Sequence, residues 1–428
     1  MFAILAFGQT RPNLILISVD TLRQDHVTAY GYQRSTSPNI DNLLKSGTWF
    51  SNASSNIPLT NPSFASLFAS RYPHEIGATR NGVPMVDETE TMVEILKANG
   101  FQTAAFLSNW PLKSKISNLQ KGFDIYEDNF FKKRWLIFNN ERDARGVTEL
   151  ACSWLDARPK APFFLWAHYS EPHAPYISHR GYGFTSKGPG RPEDQTRVDA
   201  YDSEVAYADH YIGELLSKIR ELGLDKDSLI VFIADHGEEL GEAGYWGHGR
   251  YVYEGSMRVP LGISGPGISA GLRIDAQVEL LDIAPTFLGY AGIPAGKDMR
   301  GRNLIPYIKG QKPWPAHYMV YYETYPGAVR GEGSEKLADL KKPTWIGLKL
   351  DNLKVSYRLA SSHWEMFNIK NDPGEKRNLA DPTNKVFIDY SNHLLSWYKG
   401  WENSAVIGRT DLLNEEDRKR LEALGYLK

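Results

Sequence analysis

The sequence predicts an α/β protein: a large, mostly parallel sheet sandwiched by helices, followed by a smaller C-terminal α+β subdomain with an antiparallel sheet. Short apolar runs alternate with helical patterns through the first two thirds of the chain, which is typical of a parallel sheet with helices on both faces. After Gly301 the pattern changes to short, closely spaced strands. We therefore expect a large domain over residues 1–310 and a small subdomain over residues 311–428.

Five apolar runs are predicted to be strands of the large sheet. The first, residues 14–19, lies between Pro12 and Asp20 and is too short for a typical helix, so we interpret it as a strand buried on both faces. Similar runs occupy residues 101–107, 162–168, 229–234 and 259–263. Helical patterns lie between them at residues 91–99, 144–155, 200–222 and 280–290.

The C-terminal part is predicted to hold a small antiparallel sheet. Residues 345–350, 353–359 and 364–369 have the composition of short strands, and Asp351-Asn352 supplies a turn between the first two. Helical patterns follow near residues 386–398 and 414–424.

Composition excludes several classes of function. With 49 basic and 51 acidic residues in 428, the chain has no overall field that would attract nucleic acid. Cys152 is the single cysteine, which rules out an internal disulfide and a multi-thiolate metal site. No apolar run reaches the roughly 18 residues needed to span a bilayer. The apolar opening MFAILAFGQT has two readings: the stump of an export signal, which predicts a periplasmic or secreted protein, or a buried strand or frayed end, which fits a cytoplasmic one.

Polar residues follow the predicted strands where a ligand would bind. Asp20 ends the first strand, His168 ends a later one, and Asp235 with His236 ends another. In open parallel sheets, ligands bind beyond the carboxyl ends of the strands, so we expect these residues to share one crevice. Two carboxylates and an imidazole suit one divalent ion such as Mn²⁺, Ca²⁺, Mg²⁺ or Zn²⁺. The alternative is that the Asp-His pair only forms a turn or a cap.

Thr60 is the candidate nucleophile. Pro62 suits the first turn of a helix, which makes Thr60 or Asn61 the expected cap residue. Free N–H groups and the dipole at a helix N-terminus favour an alkoxide and the oxygens of a phosphate or sulfate. The alternative is that Thr60 is an N-cap and nothing more.

Two histidines are candidates for contact with the substrate. His173 lies in a proline-rich loop directly after a predicted strand, where it is a candidate general acid. His248 follows Asp235 by thirteen residues, on a glycine-rich loop that can fold back toward the strand end. Each could instead be an ordinary surface histidine.

These motifs together resemble the sulfatase family of the alkaline phosphatase superfamily. The segments NLILISVDTLRQDHVTAYGY, TNPSFASLFASRYP, FFLWAHYSEPHAPY, VFIADHGEELGEAGYWGHGRYVYEGSMRVPL and WEMFNIKNDPGEKRNLA occur in the family's order and span nearly the whole chain. The resemblance is specific because all five are present, although each alone would be weak.

The resemblance implies roles for individual residues. It places metal ligands at Asp20, Asp235 and His236 and a substrate histidine at His173. Because strand ends and a helix start are expected to share one crevice, we also expect the Thr60 hydroxyl to be a ligand of the same metal ion. The remaining matches are expected to bind the substrate: His248, where many members have a lysine; Asn109, near a second such lysine; Arg71, which closes the nucleophile motif; and the strand-end His168.

The departures from the family pattern shape the expected mechanism. Family sulfatases have Cys or Ser, oxidised to formylglycine, at the position of Thr60, and an arginine at the position of Phe64. A threonine would give a ketone rather than an aldehyde. Thr21 replaces a second aspartate, and His236 replaces an asparagine, as in the phosphodiesterase, phosphonate-ester hydrolase and phosphoglycerol-transferase branches.

The sequence thus predicts a one-metal hydrolase that forms a covalent Thr60 ester with a small-molecule, glycan-linked or lipid-linked anionic substrate. Phosphate mono- or diesters and phosphonate esters are the first expectation, and sulfate esters are the alternative. A phosphoglycerol- or phosphoethanolamine-type transferase and a catalytically silent, metal-stabilised binding domain are further alternatives.

Overall fold

The computed structural model describes residues 11–130, 142–185, 192–242, 244–325 and 341–409, together with Glu415 and Lys419. The opening MFAILAFGQT lies outside the described residues, as does most of the helix predicted near residues 414–424. In the part of the chain that is described, no helix is both long and apolar enough to cross a membrane.

The centre of the molecule is one large twisted sheet. Its strands are β1 (Asn13–Val19), β2 (Thr48–Ser54), β3 (Gln102–Phe106), β4 (Ile125–Glu127), β5 (Phe163–Tyr169), β6 (Ser228–Ala234), β9 (Arg258–Ser264), β10 (Leu272–Ile274) and β11 (Val278–Glu279). The short strands β7 (Glu239–Leu240) and β8 (Trp246–Gly247) pair with each other in a separate sheet. Neighbours follow the order β10-β2-β9-β6-β1-β5-β3-β4, and β11 also pairs with β2. The sheet is mostly parallel, as predicted, but β9 runs antiparallel to both β2 and β6.

The interior strands are those that the apolar runs predicted. All 7 residues of β1 are buried, and so are all 7 of β5 and of β6, because helices cover both faces of the sheet. Strand β2 was not predicted, because its sequence TWFSNAS mixes polar and apolar residues without a clear period.

Helices surround this sheet and lead into its loops. They are α1 (Pro38–Lys45), α2 (Thr60–Ala69), α3 (Pro73–Ile76), α4 (Met92–Ala98), α5 (Ser114–Ser117), α6 (Ala144–Asp156), α7 (Pro192–Glu221), α8 (Glu254–Met257), α9 (Ile283–Tyr290), α10 (Ile305–Ile308) and α11 (Lys385–Trp401). Every residue of α2 is buried. Its Phe64 and Phe68 rings pack 4.7 and 4.9 Å from the ring of Trp166 on β5, so the helix is held firmly against the sheet.

A second, antiparallel sheet follows in the chain. Its strands are β12 (Val320–Thr324), β13 (Trp345–Leu350), β14 (Leu353–Arg358) and β15 (His363–Asn368), paired in that order. Leu394 of α11 packs with Ile346 and Leu348 in a separate apolar cluster. Of these four strands, only β12 was missed by the sequence analysis. The domain division between residues 310 and 311 stays a prediction.

Buried charges join the second sheet to the first part of the chain. Glu254 accepts hydrogen bonds from Lys349 at 2.8 Å and from Lys354 at 3.1 Å. Burial by itself would raise the pKa of Glu254, but the two lysine charges lower it to about 2. The contact therefore holds β13 and β14 against the segment that carries α8.

Candidate active site

The site lies where β1 and β6 end side by side. The two strands are parallel neighbours, and Val19 is paired with Ala234. The next residue in each strand is an aspartate, so the register alone places Asp20 and Asp235 at the same level of the sheet edge. His236 follows directly, and all three side chains are fully buried.

Asp20, Asp235 and His236 form a group that could hold a metal ion. One ligand atom from each residue lies within 4.8 Å of the other two. His236 Nε2 is 3.7 Å from Asp20 Oδ1 and 3.5 Å from Asp235 Oδ2. Asp235 Oδ1 accepts the backbone N–H groups of His236 and Thr21, whereas Asp235 Oδ2 has no hydrogen-bond partner among the described residues. A buried carboxylate oxygen of this kind calls for a cation.

The protonation states of the group also fit a divalent cation. Burial raises the pKa of Asp235 to about 7, so its ionised form needs a positive partner at neutral pH. Burial also lowers the pKa of His236 well below its ordinary value, which keeps the ring neutral. His236 Nδ1–H donates to the carbonyl oxygen of Gly237 at 2.9 Å, and this leaves the Nε2 lone pair facing the carboxylates.

Thr60 joins this group from α2. Its Oγ1 lies 3.5 Å from His236 Nε2, and the residue is fully buried. The expected cap assignment was wrong: Leu59 is the N-cap residue, and Thr60 is the first residue of the helix. The alternative interpretation required the Thr60 hydroxyl to cap the helix. In the structure, the hydroxyl is instead directed to the candidate metal group.

The first turn of α2 is fixed by residues on two sides. Ser63 Oγ donates to the carbonyl oxygen of Asp235 at 2.8 Å, which ties the helix to the end of β6. The Asn61 backbone N–H donates to Asn81 Oδ1 at 2.9 Å. Asn81 Nδ2 is buried and has no hydrogen-bond partner among the described residues, so a donor is left beside the helix start. Sequence reasoning missed Asn81, because it lies in a loop that no strand-end rule identifies.

His173 and His248 lie in the same crevice as the candidate metal group. The ring centre of His248 is 4.5 Å from that of His236 and 5.2 Å from that of His173. The loop of His248 is supported from the second sheet, since Thr324 Oγ1 donates to the carbonyl oxygen of Gly249 at 2.5 Å. His248 Nδ1 lies 2.9 Å from Glu238 Oε1, a buried partner that the sequence analysis did not single out.

Two of the predicted substrate-binding residues have other contacts. Asn109 is buried and its Nδ2 donates to Asp20 Oδ2, so in this structure it orients a carboxylate. His168 is fully buried, lies 2.9 Å through Nδ1 from Ser18 Oγ, and packs edge-on against the ring of Phe64. Burial and the nearby His173 lower the pKa of His168 to about 3, which makes it a neutral ring in the wall of the site.

Arg71 lies beyond the opposite end of α2 from Thr60. Thr60 is the first of the 10 residues of this helix, whose length is about 15 Å at 1.5 Å per residue. Arg71 lines a surface cavity with Glu88 and Glu90. The substrate-binding role expected for Arg71 stays a prediction.

Two protein families match this chain along most of its length. The family described as "Sulfatase" matches residues 12–293 of this chain. A second family, described as "N-sulphoglucosamine sulphohydrolase, C-terminal", matches residues 241–395. Together they cover the main sheet, the candidate site, the second sheet and part of α11.

Individual relatives are distant but extend along most of the chain. The N-acetylglucosamine-6-O-sulfatase of Bacteroides thetaiotaomicron is 23% identical, over 86% of this chain and 82% of the relative. The multifunctional alkaline phosphatase superfamily protein PehA of Trinickia caryophylli is 24% identical, over 91% of this chain and 95% of the relative. Sulfatase names prevail among the relatives, which supports the sulfate-ester alternative better than the first expectation of a phosphate or phosphonate ester.

Solved structures show the same fold. A protein solved in complex with its substrate D-glucosamine-2-N,6-O-disulfate superposes with a TM-score of 0.77 at 21% identity, covering 92% of this chain and 99% of that one. The phosphonate monoester hydrolase of Agrobacterium radiobacter superposes with a TM-score of 0.75 at 18% identity, covering 91% and 96%.

Proposed function

This chain belongs to the sulfatase family, whose members hydrolyse ester bonds, and from that premise we propose that it cleaves a sulfate ester with Thr60 as the attacking group. The observation that carries the proposal is the position of Thr60 Oγ1, at the start of a buried helix and 3.5 Å from His236 Nε2 in the candidate metal group. We infer the sulfate ester from the names of the relatives, and the attacking residue from the geometry of this chain.

Asp20, Asp235 and His236 would hold one divalent ion. When bound, such an ion lowers the pKa of a nearby hydroxyl and offsets negative charge on the ester oxygens. Its identity among Mn²⁺, Ca²⁺, Mg²⁺ and Zn²⁺ is left to experiment.

In the first step, Thr60 Oγ1 attacks the sulfur atom, forms a new O–S bond and gives its hydroxyl proton to water. The bond between sulfur and the alcohol oxygen of the substrate breaks, and the alcohol leaves with a proton from His173 or from water. The side-chain amide of Asn81, whose Nδ2 has no hydrogen-bond partner among the described residues, is a candidate donor to the charge that develops on the sulfate oxygens.

In the second step, a water molecule attacks the sulfur atom of the Thr60 ester. The bond between sulfur and Thr60 Oγ1 breaks, Oγ1 takes up one proton of the attacking water, the other proton passes to His173 or to solvent, and sulfate is released. We propose that His173 and His248 hold the anion through both steps. The short distances from the ring of His248 to those of His236 and His173 support this role.

Hydrolysis of a phosphonate or phosphate monoester is the second candidate function. It is favoured by Thr60, which cannot become the formylglycine of family sulfatases, and by His236 in the position of an asparagine. The structural likeness to a phosphonate monoester hydrolase is consistent with it but shows the fold alone. The same attack would then occur at phosphorus.

We propose that the alcohol part of the substrate is a sugar, because relatives with sulfatase names act on sugar sulfates by name. A periplasmic or secreted location also remains a proposal.

A panel of aryl esters tests the substrate class. With 4-nitrophenyl sulfate, phosphate, phenylphosphonate and a bis-aryl phosphodiester, each with Mn²⁺, Mg²⁺, Ca²⁺ or Zn²⁺, we expect the highest kcat/KM for the sulfate. A kcat/KM for the phosphonate or phosphate at least about tenfold above the sulfate would replace the proposal with the second candidate, since tenfold corresponds to about 1.4 kcal/mol in transition-state binding. No turnover of any ester, with a metal ion bound, would favour a silent binding domain.

A further inference from the structure

Glu238 is a fully buried carboxylate next to the candidate site. It lies in the segment that leaves β6, and its backbone N–H donates to the carbonyl oxygen of Gly255 at 3.0 Å. The preceding Gly237 passes so close to the chain that a Cβ atom there would lie 2.0 Å from the carbonyl oxygen of Gly255. The backbone that carries Glu238 therefore has little freedom to move.

The carboxylate of Glu238 contacts the imidazole of His248. Glu238 Oε1 and His248 Nδ1 are 2.9 Å apart, and the exposed fractions of the two side chains are 0% and 9%. The two atoms are within hydrogen-bond distance. This contact holds the ring in one orientation and leaves Nε2 for another partner.

The rest of the His248 ring lies among the site histidines. Its centre is 4.5 Å from that of His236 and 5.2 Å from that of His173. The glycines on both sides of His248 have positive φ angles of 119° and 86°, which glycine adopts without strain. The contact with Glu238 acts on the side chain itself and orients the ring within this loop.

We propose that Glu238 is a positioning residue that acts through His248, presenting His248 Nε2 to the anionic group of the substrate. The inference rests on the proposed function, because it concerns how the same site holds its ester. It gives a role to a residue to which the sequence analysis assigned none. Glu238 does not touch the reacting atoms and is not itself a catalytic residue.

A double-mutant cycle on the metal-loaded enzyme tests this role. Glu238→Gln is expected to lower kcat/KM for the aryl ester about tenfold, and Glu238→Ala further, because the amide keeps an acceptor oxygen and alanine does not. In a His248→Ala background, either change should lower kcat/KM less than about twofold, since the residue through which Glu238 acts is already absent.

Glu239→Gln is the matched control. Glu239 is also buried and next in sequence, but its carboxylate accepts from Ser256 Oγ at 2.9 Å. Whatever effect Glu239→Gln has, it should be the same in the wild-type and His248→Ala backgrounds. Equal losses for Glu238→Gln in the two backgrounds would overturn the proposal and make Glu238 a structural residue.

The cycle also separates this proposal from the proposed function. If His248→Ala leaves kcat/KM unchanged, the role of His248 in the site fails, and Glu238 has nothing to position. If the wild type turns over no ester, the proposed function fails. The same cycle, with the dissociation constant of inorganic sulfate measured by calorimetry, still shows whether the effects of the Glu238 and His248 substitutions are coupled or additive.

Discussion

Replacing Thr60 by alanine is expected to lower kcat for the aryl ester at least about 1,000-fold, because it removes the group that attacks the ester. Asp20, Asp235 and His236 are unchanged in this variant, so it should still bind the metal ion. The measurement is steady-state turnover together with the metal content of the purified protein. Thr60 is buried beside the rigid start of α2, and a smaller side chain there leaves that backbone in place.

Thr60→Ser is the matched control, because it keeps the hydroxyl and removes one methyl group. We expect it to retain a measurable part of the rate, well above that of the alanine variant. Near-normal turnover by Thr60→Ala would show instead that water is the attacking group and that Thr60 has only a structural role at the helix start.

Replacing Asp235 by asparagine is expected to weaken binding of the divalent ion at least about 100-fold and to abolish turnover, because it removes a charged ligand. Burial raises the pKa of Asp235 to about 7, so a neutral amide should be tolerated in the metal-free protein. The melting temperature of metal-free Asp235→Asn should therefore lie close to that of the wild type. Adding Mn²⁺ should raise it for the wild type only.

Asp209→Asn is the control for this second prediction. Asp209 is a buried aspartate outside the site, where it accepts hydrogen bonds from the backbone of Asn39 and Ile40. Its replacement should leave the metal content near one equivalent, whatever it does to stability. A metal-induced rise in melting temperature that survives Asp235→Asn would place the ion elsewhere. Two tightly bound equivalents in the wild type would point to a two-metal mechanism.

The sequence predicted the centre of the site because strand register decides it. Asp20 and Asp235 each follow a buried apolar run, and parallel neighbours bring such positions together whatever the loops do. The direction of a strand could not be predicted in the same way, because periodicity reports burial and not orientation. Strand β9 has the apolar run of a parallel strand but runs antiparallel.

The surroundings of the site were predicted less well because they depend on side-chain contacts across the fold. Asn109 was expected to contact the substrate, yet it donates to Asp20, a partner 89 residues away in the chain. Asn81 and Glu238 were missed because each acts through a contact that only the folded chain creates.

A single measurement tests the central claim, which is the covalent role of unmodified Thr60. The metal-loaded enzyme is mixed with an aryl sulfate, quenched during the first turnover and digested, and the peptide that contains Thr60 is examined by mass spectrometry. We predict an unmodified threonine in the resting enzyme and a sulfate ester on Thr60 that forms as the aryl alcohol is released and then decays. Release of the alcohol in the first turnover with no ester on Thr60 at any time would contradict the account.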